Sequence, residues 1–155
     1  MIKYDEKTLV TFTEVPDEIA LCLNITGCPC HCEQCFEPWL RDDYGIPLDT
    51  EEIDRLLAEN PHISCLCFMG GDRDHKAIAH FAEYIHIAHP TLKVAMYSGR
   101  PEFDPQLGKV LDYYKYGPYM PQFGPLNLKT TNQKFLKKVN NEWQDITSKF
   151  QIKKV

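Results

Sequence analysis

Apolar and polar side chains alternate from Thr8 to Val15, Pro16-Asp17 interrupts them, and a denser apolar run extends from Ile19 to Ile25. This predicts a strand, a turn and a second, more buried strand. Asp49-Thr50-Glu51-Glu52 offers a helix N-cap with a glutamate three residues on. Ile53, Leu56 and Leu57 follow at helical spacing until Asn60-Pro61 stops them. Ile63 to Met69 is nearly all apolar and ends in Gly70-Gly71-Asp72, as expected of a parallel strand covered on both faces. Ile78, Phe81, Ala82 and Ile85 form the stripe of a second helix closed by His89-Pro90, and Leu92 to Gly99 is again a strand ending in glycine. Strands alternating with helices predict βαβ units and a parallel sheet. A short helix from Leu107 to Leu111 and a fourth parallel strand from Tyr113 follow. Lys134–Val139, Asn140-Asn141 and Glu142–Thr147 then have the pattern of a C-terminal β-hairpin that caps the sheet or meets a partner.

Composition narrows the class. A chain of 155 residues, 43% hydrophobic and 25% charged, is expected to form one domain, residues 1–155, around a single core. No apolar run is long enough to cross a membrane. A net charge of -5 argues against a general nucleic-acid binder. The lysines between Lys129 and Lys154 read as a solvated surface. Met1 to Lys7 has no signal-peptide pattern, so the expected localisation is cytoplasmic.

The chemistry concentrates in Cys28-Pro29-Cys30-His31-Cys32-Glu33-Gln34-Cys35. Read as Cys-x3-Cys-x2-Cys, the segment offers Cys28, Cys32 and Cys35 as metal ligands. Iron–sulfur clusters usually take four cysteines and structural zinc takes four N/S ligands, so a triplet points to a cluster with one iron open to a small ligand. Cys30 is set aside, because x3 and x2 spacings let a loop turn its sulfurs inward whereas adjacent Cys-x-Cys side chains diverge. The alternatives are a zinc site completed by Cys30 or His31, or a disulfide. Seven cysteines, an odd number, and the lack of a secretory signal disfavour the disulfide.

The strand ends Gly27-Cys28, Gly70-Gly71 and Ser98-Gly99 would share one rim in a parallel sheet, where open α/β folds bind ligands. Glycine there lets a ligand approach the backbone, although a βα turn needs glycine for steric reasons as well. Cys22, Cys65 and Cys67 read as small buried hydrophobes. His75, His80, His86 and His89 show no coherent partner and are expected to face solvent mostly. The chain has no nucleophilic triad signature and no phosphate-binding loop with a lysine.

With Cys28-x3-Cys32-x2-Cys35 after one strand, Gly70-Gly71-Asp72 after the next and Tyr97-Ser98-Gly99 after the third, the chain resembles the radical S-adenosylmethionine (SAM) superfamily. Within it, the resemblance is to the activating proteins of anaerobic ribonucleoside-triphosphate reductase, carried also by Phe36 after the third cysteine and by Thr130-Thr131-Asn132-Gln133. Gln34, where many members have an aromatic residue, and Asp72, where many have glutamate, depart from the wider pattern. The resemblance implies a partial, laterally open β/α barrel and a 4Fe-4S cluster on Cys28, Cys32 and Cys35, with SAM on the open iron. Gly70, Gly71 and Asp72 would bind the methionine amino group, while Gln34, Cys35, Phe36 and Ser98 would lie beside the cofactor. It also implies reductive cleavage of SAM to a 5′-deoxyadenosyl radical, with no separate catalytic side chain assigned. The implied protein substrate is the reductase large subunit, and the implied electron donor is a reduced flavodoxin or a ferredoxin-type protein. No nucleic acid or membrane partner is implied. Another glycyl-radical enzyme, a peptide or a nucleoside would be an alternative substrate.

Overall fold

The computed structural model describes residues 2–30 and 37–151. Nine strands and three α-helices occur among the described residues: β1 (Lys3–Tyr4), β2 (Leu9–Thr11), β3 (Ala20–Asn24), β4 (Ile46–Pro47), α1 (Thr50–Glu59), β5 (Cys65–Met69), α2 (His75–Ala88), β6 (Lys93–Tyr97), α3 (Pro105–Gly108), β7 (Tyr113–Tyr116), β8 (Lys134–Val139) and β9 (Glu142–Asp145). Short 3-10 turns at Pro38–Arg41 and Thr147–Phe150 complete the list. This is a mixed α/β fold.

Seven strands form one sheet in the order β2-β3-β5-β6-β7-β8-β9. Its centre, β3-β5-β6-β7, is parallel as the βαβ alternation requires. The edges are antiparallel: β2 folds back on β3, and the β8-β9 hairpin pairs with β7. The hairpin extends the sheet instead of capping it. Its turn uses Asn140 and Asn141, both at positive φ (51° and 64°), the geometry that matches strand twist in a two-residue turn. A separate pair, β1 with β4, carried no sequence signal strong enough to read.

The two faces of the sheet are covered differently. Leu66 and Phe68 of β5, Val94 and Met96 of β6 and Tyr114 of β7 pack against the helices through Ile53, Leu56, Ile78, Phe81, Ile85 and Leu107. On the opposite face Cys22, Cys65, Cys67, Ala95, Tyr113 and Phe135 meet loop residues Val15 and Leu126. The continuous apolar run of β5 follows directly, since both faces are dry. Each large side chain buried there contributes about 1.5–3 kcal/mol.

The helix ends behave as their sequences require. Asp49 accepts a hydrogen bond from the Glu52 amide at the start of α1, and α1 buries Ile53 and Leu56. Asp74 caps α2, which buries the stripe Ile78, Phe81, Ala82 and Ile85 and ends at His89. Among the described residues, no helix is long and apolar enough to cross a membrane.

Candidate functional site

The parallel register puts Asn24, Met69 and Tyr97 side by side at the carboxyl ends of β3, β5 and β6. Gly27-Cys28, Gly70-Gly71 and Ser98-Gly99 therefore follow on one rim. Backbone bonds from Ile25 N to Met69 O (3.1 Å), and from Gly70 N to Tyr97 O (3.0 Å), carry the pairing beyond the strands. The chain that leaves the rim at Cys28 returns through the 3-10 turn. There the Gly27 amide donates to Asp42 O and the Cys28 amide to Leu40 O, both at 2.9 Å. The backbone of Cys28 is thus anchored at its amide.

Cys28, Gly70 and Gly99 open onto a cavity of about 310 Å³ with apolar walls from Ile25, Leu40 and Met69. Tyr97, Lys115, Tyr119 and Gln133 are shared with a neighbouring cavity of about 550 Å³. These volumes are in the range of small-molecule sites. Lys115 is buried, and its ammonium donates to Ser98 O (3.0 Å) and Gly117 O (2.7 Å). Glu37 stands in the same wall, its carboxyl pushed up by burial and then by the charges of Glu14 and Asp5. Sequence reasoning missed Lys115 and Glu37, and noted Gln133 only within the Thr130-Thr131-Asn132-Gln133 element and not as a site residue. Lys115 did leave a signal, a charge inside the aromatic strand Tyr113-Tyr114-Lys115-Tyr116.

The Gly70-Gly71-Asp72 motif divides by role. Gly70 lines the cavity. Gly71 has φ +112°, and a Cβ there would sit 2.7 Å from Ile78 Cγ1, so glycine allows α2 to close on the strand end. Asp72 is 2% exposed and spends its carboxylate inside the protein. Its Oδ1 accepts from the Ser98 hydroxyl (2.6 Å) and pairs with His75 Nε2 (2.8 Å), while Oδ2 accepts from the Gly99 amide (2.7 Å). Arg100 donates to the Asp72 carbonyl at 2.5 Å. Asp72 and Ser98 therefore support the cavity wall from behind.

His75 is held between Asp72 and Asp104, with Nδ1 2.6 Å from Asp104 Oδ2. The expected solvent-facing histidine is instead partly buried, 13% exposed, between two carboxylates. His86 and His89 likewise meet Asp112 and Asp54, at 2.8 and 2.9 Å. The sequence concealed these pairs because their partners lie 26 and 35 residues away. The hydrogen bond to Asp72 raises the pKa of His75, against burial and with help from Asp104. Burial pushes Asp72 upward, but bonds from His75, Ser98 and the Gly99 amide outweigh it and leave the group lowered.

The five described cysteines are free thiols. Cys22, Cys65 and Cys67 are buried in the loop-covered face of the sheet, as their spacing predicts. At Cys28 a hydrogen bond with Cys30 outweighs burial and holds the thiol down to about 6. Cys30 is pushed up by the same contact, by burial and by Asp72. A thiol so biased toward thiolate suits a metal ligand. Cys32, Cys35, Gln34, Phe36 and His31 lie outside the described residues.

Residues 19–114 match the family model of the 4Fe-4S single cluster domain. The chain belongs to that family. The match takes in more than half of the chain, from β3 to β7, and includes the cysteine segment. No curated protein and no solved structure matches the chain. The lowered Cys28 thiol, its main-chain anchors and the adjacent cavity fit this 4Fe-4S domain's cofactor.

Proposed function

We propose that this 4Fe-4S domain is a radical SAM enzyme that generates a glycyl radical on the large subunit of anaerobic ribonucleoside-triphosphate reductase. The observation that supports it is one cavity at the carboxyl ends of parallel strands, where Cys28 shares a wall with the backbone of Gly70 and Gly99. In this reading the sheet is a partial, laterally open β/α barrel in one domain.

Cys28, Cys32 and Cys35 hold the cluster and leave one iron for the amino and carboxylate groups of SAM. Together the cluster and SAM supply one-electron cleavage to methionine and a 5′-deoxyadenosyl radical. The protein's part is to bind, orient and keep water out. Gly70 presents its backbone to the ligand ammonium, with Gly71, Asp72 and Ser98 fixing that strand end. The charge of Lys115 in the wall favours a ligand that carries a carboxylate. Gln34 and Phe36 flank the cofactor, Phe36 against the adenine. Ile25, Leu40 and Met69 exclude water around it. The adjoining larger cavity leaves room for a protein segment bearing the target glycine. A reduced flavodoxin or ferredoxin-type donor in the cytoplasm supplies the electron.

Anaerobic reconstitution with iron and sulfide, followed by dithionite and SAM, is expected to release 5′-deoxyadenosine. Adding the reductase should give a glycyl radical signal by electron paramagnetic resonance. A colourless protein holding only zinc would overturn the proposal. Deoxyadenosine without the radical would redirect it to another glycyl-radical protein or a small substrate.

A further inference from the structure

Cys30 has no role in the proposed chemistry, yet its side chain is tightly placed. Its thiol donates to Asp72 Oδ2 at 3.5 Å. Asp72 is itself immobilised by Ser98, the Gly99 amide and His75, and His75 is held by Asp104, the N-cap of α3. A side-chain chain thus runs from α3 through the first residue of α2 and two strand ends to the Cys30 sulfur. The thiol also rests on the backbone at position 99, where a Cβ would lie 3.1 Å from Cys30 Sγ and 3.3 Å from its Cβ. Glycine at 99 makes that seat. From the other side, Cys28 Sγ lies 3.7 Å from the Cys30 carbonyl oxygen.

We propose that Cys30 is a positioning residue of the iron-binding loop: its thiol, seated between Asp72 and Gly99 on the strand-end rim, sets where Cys28 stands and does not bind iron. To act as a ligand it would have to leave Asp72 and Gly99 together. Residues that orient a metal ligand commonly tune both affinity and potential. This role depends on the family's cluster and not on the SAM reading, and its test uses no SAM.

The experiment compares Cys30→Ala, Cys30→Ser and Cys32→Ala with the wild-type holoprotein, all reconstituted anaerobically. Both Cys30 variants should bind the wild-type complement of iron and sulfide, and Cys32→Ala should not. Cys30→Ala should lose iron to a chelator roughly three- to tenfold faster, the scale of one ordinary hydrogen bond lost, as suits a weak thiol donor, and should shift the g values of the reduced cluster. Cys30→Ser, which keeps a small donor, should restore both. Gly99→Ala, which displaces the thiol, should reproduce the alanine behaviour; if it fails to fold, the Cys30 pair still decides. Incomplete clusters in both Cys30 variants would overturn the proposal by making Cys30 a ligand. An alanine variant identical to wild type, or a serine variant identical to alanine, would overturn it as well.

Discussion

Asp72→Asn separates a carboxylate that ties the rim together from one that contacts a ligand. In the wild type Oδ1 serves Ser98 at 2.6 Å and His75 at 2.8 Å, and Oδ2 serves the Gly99 amide at 2.7 Å. The substitution turns one oxygen into an NH2 group. Placed at Oδ2, that group meets the Gly99 N–H donor to donor; placed at Oδ1, it denies Ser98 and His75 their acceptor. A hydrogen bond to a buried charge contributes about 1.5–3 kcal/mol, and breaking a buried charged pair costs about 3–5 kcal/mol. Bonds retained by the remaining oxygen offset part of this, so the expected loss is about 2–4 kcal/mol. In a domain of this size that lowers Tm by roughly 5–15 °C. The assay is thermal and urea unfolding of metal-free protein followed by far-UV circular dichroism at neutral pH. A Tm change below roughly 2 °C would refute the structural role, and loss of SAM binding at unchanged stability would make Asp72 a ligand contact.

Further outcomes follow from neighbouring features. Gly71→Ala combines a φ of +112° with a Cβ 2.7 Å from Ile78 Cγ1 and should destabilise the fold by about 2–4 kcal/mol in urea unfolding; a neutral variant would count against the packing described for α2. The raised His75 stabilises the fold fully below the ordinary histidine value, and this contribution fades as pH rises through the folded value. The lowered Asp72 and Asp104 contribute above the ordinary carboxylate value and lose that contribution as pH falls through their folded values. The three groups together are strongest between about pH 4 and 6.5, so His75→Gln should cost more stability at about pH 5.5 than at about pH 9. Equal urea midpoint shifts at both pH values would contradict the pairing. Asn141→Val forces a β-branched residue to a φ of 64° and should lower stability by about 1–3 kcal/mol, with no loss indicating a turn of another type.

The sequence revealed what is local or periodic. The α2 stripe, the Asp49 cap, the Asn140-Asn141 turn and the glycine-ended strands all depend on neighbours within a few positions. Contacts set by tertiary pairing stayed hidden. The internal bonds of Asp72 are one case: its partner Ser98 is 26 residues on and reaches it only because β5 and β6 lie in register. Where the antiparallel edges attach was similarly silent: the C-terminal hairpin was legible but its pairing with β7 was not, and alternation in β2 does not specify which neighbour it joins. Lys115 was legible only as an oddity until the carbonyls of Ser98 and Gly117 gave it a place.

The backbone bonds from Gly27 to Asp42 and from Cys28 to Leu40 bear on how the holoprotein is assembled. They bring both ends of the cysteine segment together through groups that take no part in holding iron. Most of the loop-closure entropy is therefore met by folding of the chain itself and not by cofactor insertion. This differs from small metal-dependent modules, in which metal binding and folding are one event. Cofactor insertion is then expected to act on a loop whose ends already meet, and not to nucleate the fold.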